Sequence, residues 1–500
     1  MADRTDGYVT DIGYTHGYYP ELNPVQMRLA LLNAGFAVPE ISTACELGFG
    51  QGLSINLHAA ASGTHWYGTD LNAAHAAFAR QLAAASGADI DLYEDSFEEF
   101  ASRTDLPPFD HIGLHGVWSW VSDRNRTVIV DFIRRKLKPG GVLYIGYNTL
   151  PGRAAFAPVR HLLAEHVNRG EAESRGIVER IDDAIAFSDR LLATDPEYAR
   201  DNPLILDRFK VLKESDRHYL AHEFFNRDWV PMHFATMAQW LEPAMVNYIC
   251  SADFTDHIDA LKLTEAKRNL LGEIGDPIFR QTARDFILNQ AFRRDYWIRN
   301  ARKLSDPERT EALRRTRVIA TTGRPDLPFK LRGVLALNKA GPGMAANDPI
   351  LELVADRRAR SLGEIEQALG HKDLSLPQIV EAVVLIASCG HIAVAQDEAA
   401  TARARPRTDK FNAHAIASVH AGDDVDQLAS PVTGGGIRVK RTQQLFLSAL
   451  RQGRTEPDDW ARDAAKALGA DSDAAAADLG VEARAFAADL LPTLRALQIV

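Results

Sequence analysis

Residues 44–52 read ACELGFGQG, and after a helix-forming run residues 65–72 read HWYGTDLN. A short apolar strand, a glycine-rich turn, a helix and a second strand ending in an acid make a nucleotide-binding βαβ unit. Gly48, Gly50 and Gly52 permit a tight turn and close backbone approach to a ligand, where a Cβ would obstruct it. Asp70 falls at the carboxyl end of the second strand, placed to accept both hydroxyls of a ribose. Glu46 decides which nucleotide is meant. A carboxylate ahead of the loop repels a pyrophosphate but suits the cationic amino-acid end of S-adenosylmethionine, AdoMet. Phe49, inside the loop, and Leu71, after the acid, join the expected cofactor site.

Outward from this unit, strands and helices alternate up to residue 150. STACEL, HWYGT, IDLYE, FDHIGLHG and GVLYIGYN read as five strands, the last following the turn signal KPGG. The runs between them, such as LNAAHAAFARQLAAAS and RNRTVIVDFIRRKL, carry apolar residues at helical spacing. This is an α/β pattern with a parallel sheet covered on both faces. Upstream, Asn23 caps a helix that opens on Pro24 and closes at Gly35.

Two further strand candidates, MVNYICSA (245–252) and FRRDYWIR (292–299), complete a Rossmann-like sheet of seven strands. The expected layout is an N-terminal segment and AdoMet-binding core over 1–154 and a helical insertion over 155–225. Residues 226–304 then hold the remainder of the core. A separate helical domain is the alternative for the insertion. Over 305–400, FKLRGVLALN reads as a strand, three helical patterns follow, and HIAVAQ closes, which together are winged-helix-like. AQDEAATARARPRTDK (395–410) reads as a linker. A helical domain over 401–500 is broken by ASPVTGGGIRVK, read as a turn or flexible loop.

The net charge of −10 argues against a chain built for nucleic acid, and the basic clusters RARPR and RVKR fall in an expected linker and loop. Cys45, Cys250 and Cys389 are far apart in apolar runs, as buried free thiols in a reducing compartment would be. The opening MADRTDGYVTDIG has no apolar signal region, and IVEAVVLIASCGHIAVA is too short and too interrupted to span a bilayer. A cytoplasmic protein without a membrane partner is expected.

The third strand ends in YEDSFEEF, where Asp95 is placed to accept from the adenine amino group, Phe97 to pack on the ring and Ser96 to donate to the base. The fourth ends in LHGVWSWVS. Its carboxyl end faces the reacting group in an open α/β sheet, so His115 and Gly116 lie nearest the cofactor. Trp118 and Trp120, beside Tyr147 and Asn148 at the end of strand five, read equally as an aromatic acceptor channel or as core. Tyr14, Tyr18 and Tyr19 are candidates to close over the same site. His115 reads as a positioning or cofactor-contact group ahead of a base, because an amine can lose its proton to solvent before attack. His218 and His222 share a helical face at a spacing zinc can use, but no third ligand is identifiable and no metal is expected.

ELGFGQG, YGTDLN, HGVWSWVS and KPGGVLYIGYNTLPG, in this order, resemble class I AdoMet-dependent methyltransferases carrying a methyltransferase regulatory domain. That family includes bacterial protein-lysine methyltransferases acting on surface proteins. The resemblance continues through YLAHEFF, ICSADFTDHIDAL and RDFILNQAFRRDYWIR and weakens past residue 305, where LASPVTGGGI matches best. It implies AdoMet on Glu46, Gly48, Gly50, Gly52, Asp70 and Asp95, with the acceptor near His115, Trp118, Trp120, Tyr147 and Asn148. Phe49–Gly50 stands where relatives commonly carry a cysteine, Arg153 where they often carry an aromatic, and YTHGYYPELNP differs from their PY-type opening. The expectation is methyl transfer to a protein lysine by in-line displacement, with a homodimer as a further partner. Its rivals are a small-molecule or glycan methyltransferase and a non-catalytic AdoMet sensor.

Overall fold

The computed structural model describes residues 7–9, 12–169, 176–323, 344–422, 425–470 and 472–500. Seven strands form its main sheet: β1 (Thr43–Leu47), β2 (His65–Thr69), β3 (Ile90–Tyr93), β4 (Phe109–His115), β5 (Leu137–Asn148), β6 (Val246–Ser251) and β7 (Phe292–Arg299). Their order is β3-β2-β1-β4-β5-β7-β6. β1 pairs in parallel with both β2 and β4, whereas β7 runs antiparallel to β5 and β6. The order therefore reverses between β1 and β4, and ligands of such sheets bind at the carboxyl ends beside that reversal.

The covering helices begin and end where the local chemistry says they should. α1 (Pro24–Asn33) starts with the Asn23 side chain accepting from Val25 N and with proline in its first turn. α2 (Leu53–Ala61) follows the glycine loop, and all nine of its residues are buried. α3 (Ala73–Ser86) is capped by Asn72 and stops at Gly87 in the left-handed region. α4 (Phe97–Ser102) opens on a Ser96–Glu99 capping box, and α5 (Asp123–Lys136) is capped by Ser122.

Among the described residues, the first five α-helices after β5 are α6 (Ala157–Arg169), α7 (Ile177–Leu192), α8 (Glu197–Asp201), α9 (Leu204–Glu214) and α10 (Arg217–Phe224). They share a small core of their own, including Leu163, Ile181, Ile205, Phe209 and Leu220. Further along, Arg317–Ala320, Arg360–Ser361 and Ile392–Ala395 form a three-stranded antiparallel sheet with helices at Met344–Val354, Leu362–Ala368 and Leu376–Ser388. The strand expected at FKLRGVLALN lies outside the described residues. Among the described residues, no helix is long and apolar enough to cross a membrane.

Two expectations are corrected. The expected linker is a continuous helix, Glu398–Ser418, so RARPR lies on a helix rather than in a linker. Its buried positions Thr401, Ala404, Thr408, Phe411, Asn412 and Ala415 recur at helical spacing. Small side chains there supply little apolar bulk to read, yet alanine favours the helix and lets it pack closely on α2 and α3. Of the two readings of the glycine run, the turn holds and the flexible loop does not: Gln427–Ser430 and Gly435–Arg438 pair as a hairpin around a turn at 431–434, and Gly436 N donates to the Tyr18 hydroxyl.

Candidate active site

A cavity of about 810 Å³ lies at the carboxyl ends of the central strands. Gly48, Phe49, Gly50, Asp70 and Leu71 form one wall, Asp95, Ser96 and Phe97 a second, and His115, Gly116 and Trp120 a third. Gly48 leaves β1 at φ +73°, and a Cβ there would sit 2.5 Å from Val117 Cγ2. A side chain at this position would thus strain the backbone and push into the loop after β4. Gly50 N donates to Asp70 Oδ2 at 2.8 Å, while Asn72 N donates to Oδ1 at 3.0 Å. His75 Nδ1 lies 3.1 Å from the same Oδ1. The acid at the end of β2 is therefore fixed in direction by the loop it faces and by the start of α3.

Glu46 is 2% exposed and sits beneath the loop rather than in the cavity wall. Burial raises its carboxyl well above the ordinary carboxylate range, and the Asp70 charge adds to this. Its Oε2 has no hydrogen-bond partner among the described residues, so a cationic donor above the loop would complete it. The glycine cradle, the fixed Asp70 and this unsatisfied acceptor fit the ribose and the cationic amino-acid end of AdoMet.

At the second wall, Asp95 pairs with Arg103 at 3.0 Å, and Arg103 lies over the Tyr93 ring. The Ser96 hydroxyl oxygen caps α4, accepting from Glu99 N at 3.2 Å, which leaves its O–H able to donate. Phe97 presents its ring to the cavity. At the third wall, His115 stacks on Tyr19 and its Nδ1 lies 2.7 Å from the Tyr144 hydroxyl. Burial, assisted by the Arg294 charge, pulls the imidazole from its ordinary 6.5 down to about 3. The ring is neutral at physiological pH and serves as a wall.

The acceptor side differs from the expectation. Trp118 is fully buried, donating Nε1–H to Met232 Sδ at 3.3 Å, and does not line the cavity. The pair sits on a one-turn 3₁₀ segment, Trp118–Trp120, where residues two apart point about 120° away from each other, so only Trp120 reaches the cavity. Tyr147 is buried in the same core cluster as Trp118, donating its hydroxyl to Asp295 at 3.1 Å, and Asn148 is 2% exposed beside Ser119. Tyr18 is half-buried against the hairpin and does not line the cavity. Of the three expected tyrosines Tyr14, Tyr18 and Tyr19, the first and last line the cavity.

Residues that the sequence reading did not assign to the site complete that side: Tyr8, Arg153, Tyr219, His222, Glu223, Phe292 and Arg294. The stretch HYLAHE was read for its histidines, yet Tyr219 and Glu223, also four apart on α10, face the cavity together. His222 binds the N-terminal segment: Nδ1 lies 3.2 Å from the Tyr8 hydroxyl and Nε2 2.9 Å from Ile12 O. Among the described residues no cluster of side chains suited to a metal is present.

Residues 44–141 match a family model described as a methyltransferase domain, and residues 216–299 match one described as a predicted methyltransferase regulatory domain. The uncharacterized protein sll1526 of Synechocystis is 36% identical over 457 residues, covering 90% of this chain and 89% of that protein. The uncharacterized protein RP789 of Rickettsia prowazekii is 24% identical over 331 residues, covering 64% of this chain and 57% of that one. The structure of PKMT2 from Rickettsia typhi in complex with AdoHcy superimposes with a TM-score of 0.68 at 15% identity, over 97% of this chain and 99% of that one.

Proposed function

We propose, on the premise that this chain belongs to the class I AdoMet-dependent methyltransferases carrying a methyltransferase regulatory domain, that its acceptor is a lysine side chain of a protein. The observation that carries the proposal is the aromatic acceptor side of the cavity, where Tyr8, Tyr14, Tyr19, Trp120, Tyr219 and Phe292 gather. An aliphatic stem ending in a cation suits such a wall, because the rings exclude water from the stem and attract the charge with their faces. The designation of the Rickettsia typhi neighbour as a protein-lysine methyltransferase supports the same substrate class.

AdoMet supplies a methyl group on a sulfonium, open to in-line displacement by a lone pair. The chain's own residues hold and shield. The glycine loop and Asp70 fix the ribose end, and Asp95 with Phe97 takes the adenine. The neutral His115–Tyr19 stack keeps water from the reacting region without supplying a base, and alignment and desolvation lower the barrier. In the test, label from methyl-labelled AdoMet is followed into extract proteins, which are then hydrolysed to amino acids. Methylated lysine is the expected product. Label confined to a small molecule, a glycan or another amino acid would remove the lysine proposal.

A further inference from the structure

Five carboxylates line the catalytic cavity: Asp70, Asp95, Glu98, Glu99 and Glu223. Four already have set partners on the cofactor half. Asp70 is held by Gly50 N, Asn72 N and His75; Asp95 pairs with Arg103, and Glu98 with Arg124. Glu99 closes the α4 capping box. Glu223 differs. It accepts one hydrogen bond, from the Tyr14 hydroxyl to Oε1 at 3.1 Å, and no cation pairs with it among the described residues. A carboxylate with spare acceptor capacity, standing in a ring of tyrosines at the acceptor side, is built for a cationic donor.

We propose that Glu223 receives the ammonium group of the acceptor and takes its proton, with Tyr14 positioning the carboxylate; this rests on the lysine reading above. The geometry is held from two directions. α10 carries Glu223 and Tyr219, while the N-terminal segment brings Tyr8 and Tyr14 across, tied down by both nitrogens of His222. Tyr14 also packs edge-on against the His222 ring, with centroids 5.1 Å apart. Arg153 faces the same region, but its Nε donates to Ala291 O rather than to Glu223. Burial raises the Glu223 carboxyl, opposed by the Tyr14 hydrogen bond and the Arg153 charge, which brings it nearer to an ammonium in proton affinity.

The proton step balances simply. An N–H bond of the ammonium breaks and an O–H bond forms on Glu223, leaving the nitrogen its lone pair. That pair makes the new N–C bond while the sulfur keeps the electrons of the broken S–C bond. The product is a methylammonium and a thioether, and Glu223 returns its proton to solvent through the cavity mouth.

The probe is n-butylammonium chloride, the lysine side chain without its backbone, titrated by calorimetry into the full-length protein saturated with AdoHcy. Butanol is the uncharged control. The wild type should prefer the ammonium, and Glu223→Gln should weaken that binding about tenfold while leaving butanol and AdoHcy affinities unchanged. Glu223→Asp should recover part of the loss. Transfer to protein should fall about 100-fold or more in Glu223→Gln. Equal ammonium affinity in wild type and Glu223→Gln, with AdoHcy binding intact, overturns the proposal. If lysine is labelled equally by both proteins, the lysine reading stands and the role of Glu223 falls. If ammonium binding depends on Glu223 but the label lies elsewhere, the amine site stands and the lysine reading falls.

Discussion

Tyr19 lies face to face with His115, ring centroids 3.7 Å apart and planes at 19°, and this stack closes the cavity at the end of β4. Nδ1 of the imidazole is engaged by the Tyr144 hydroxyl, and the ring titrates near 3. It carries no charge through the physiological range. Transfer rates measured from mildly acidic to alkaline pH should therefore lack an inflection belonging to His115. Tyr19→Phe should retain transfer because the stack survives. Tyr19→Ala should lower it about tenfold or more by admitting water, with AdoMet binding largely kept.

Acid should weaken the fold through buried histidines. Burial lowers His58 and His115 to about 3 and His111 to about 4, against 6.5 for the free side chain. Below pH 6.5 the unfolded chain binds protons that the folded chain refuses, so stability is full above that value and is lost as pH falls toward the folded values. Near pH 5.5 the loss is on the order of 1 kcal/mol per histidine. Urea midpoints compared near pH 7.5 and near pH 5.5 should show it, and His58→Gln should flatten the dependence.

Gly48→Ala should abolish tight AdoMet binding. The residue has φ +73° and its new Cβ would meet Val117 Cγ2 at 2.5 Å. Backbone strain there costs about 1–3 kcal/mol, and the loop must shift away from its ligand. Calorimetry with AdoMet reads the loss, and thermal unfolding of the free protein reads the strain.

Asp70→Ala releases Gly50 N, Asn72 N and His75 at once and removes the expected ribose acceptor. AdoMet affinity should fall about 10- to 100-fold, as expected for hydrogen bonds to a charged group. The same titration checks it, with circular dichroism confirming that the fold persists.

The two tryptophans should separate cleanly. Trp118→Ala removes a fully buried side chain and should destabilise the protein by about 3–5 kcal/mol. Trp120→Ala changes a cavity wall, so it should lower transfer while the urea midpoint moves less. Comparing urea midpoints with initial transfer rates distinguishes them.

Much of the cofactor half was legible in the order of residues. Strand, glycine loop, helix and strand are local patterns, and a parallel sheet can place Glu46, the loop and Asp70 together in only one way. Strands six and seven, expected at 245–252 and 292–299, form at Val246–Ser251 and Phe292–Arg299 because their apolar positions fit a covered sheet. The alanine-rich helix over 398–418 was less visible, since small buried residues leave a weak apolar signal.

What the sequence by itself determined was therefore the sheet, its glycine cradle and the acid at the end of β2, all set by short-range periodicity and backbone conformation. Only the tertiary structure decided the acceptor side. It turned Trp118 and Tyr147 inward, because a 3₁₀ turn and a strand register assign each side chain its face. It also carried Glu223 to Tyr14, 209 residues away in the chain. That contact depends on how α10 and the N-terminal segment pack over the sheet, and no local pattern in either segment encodes the meeting.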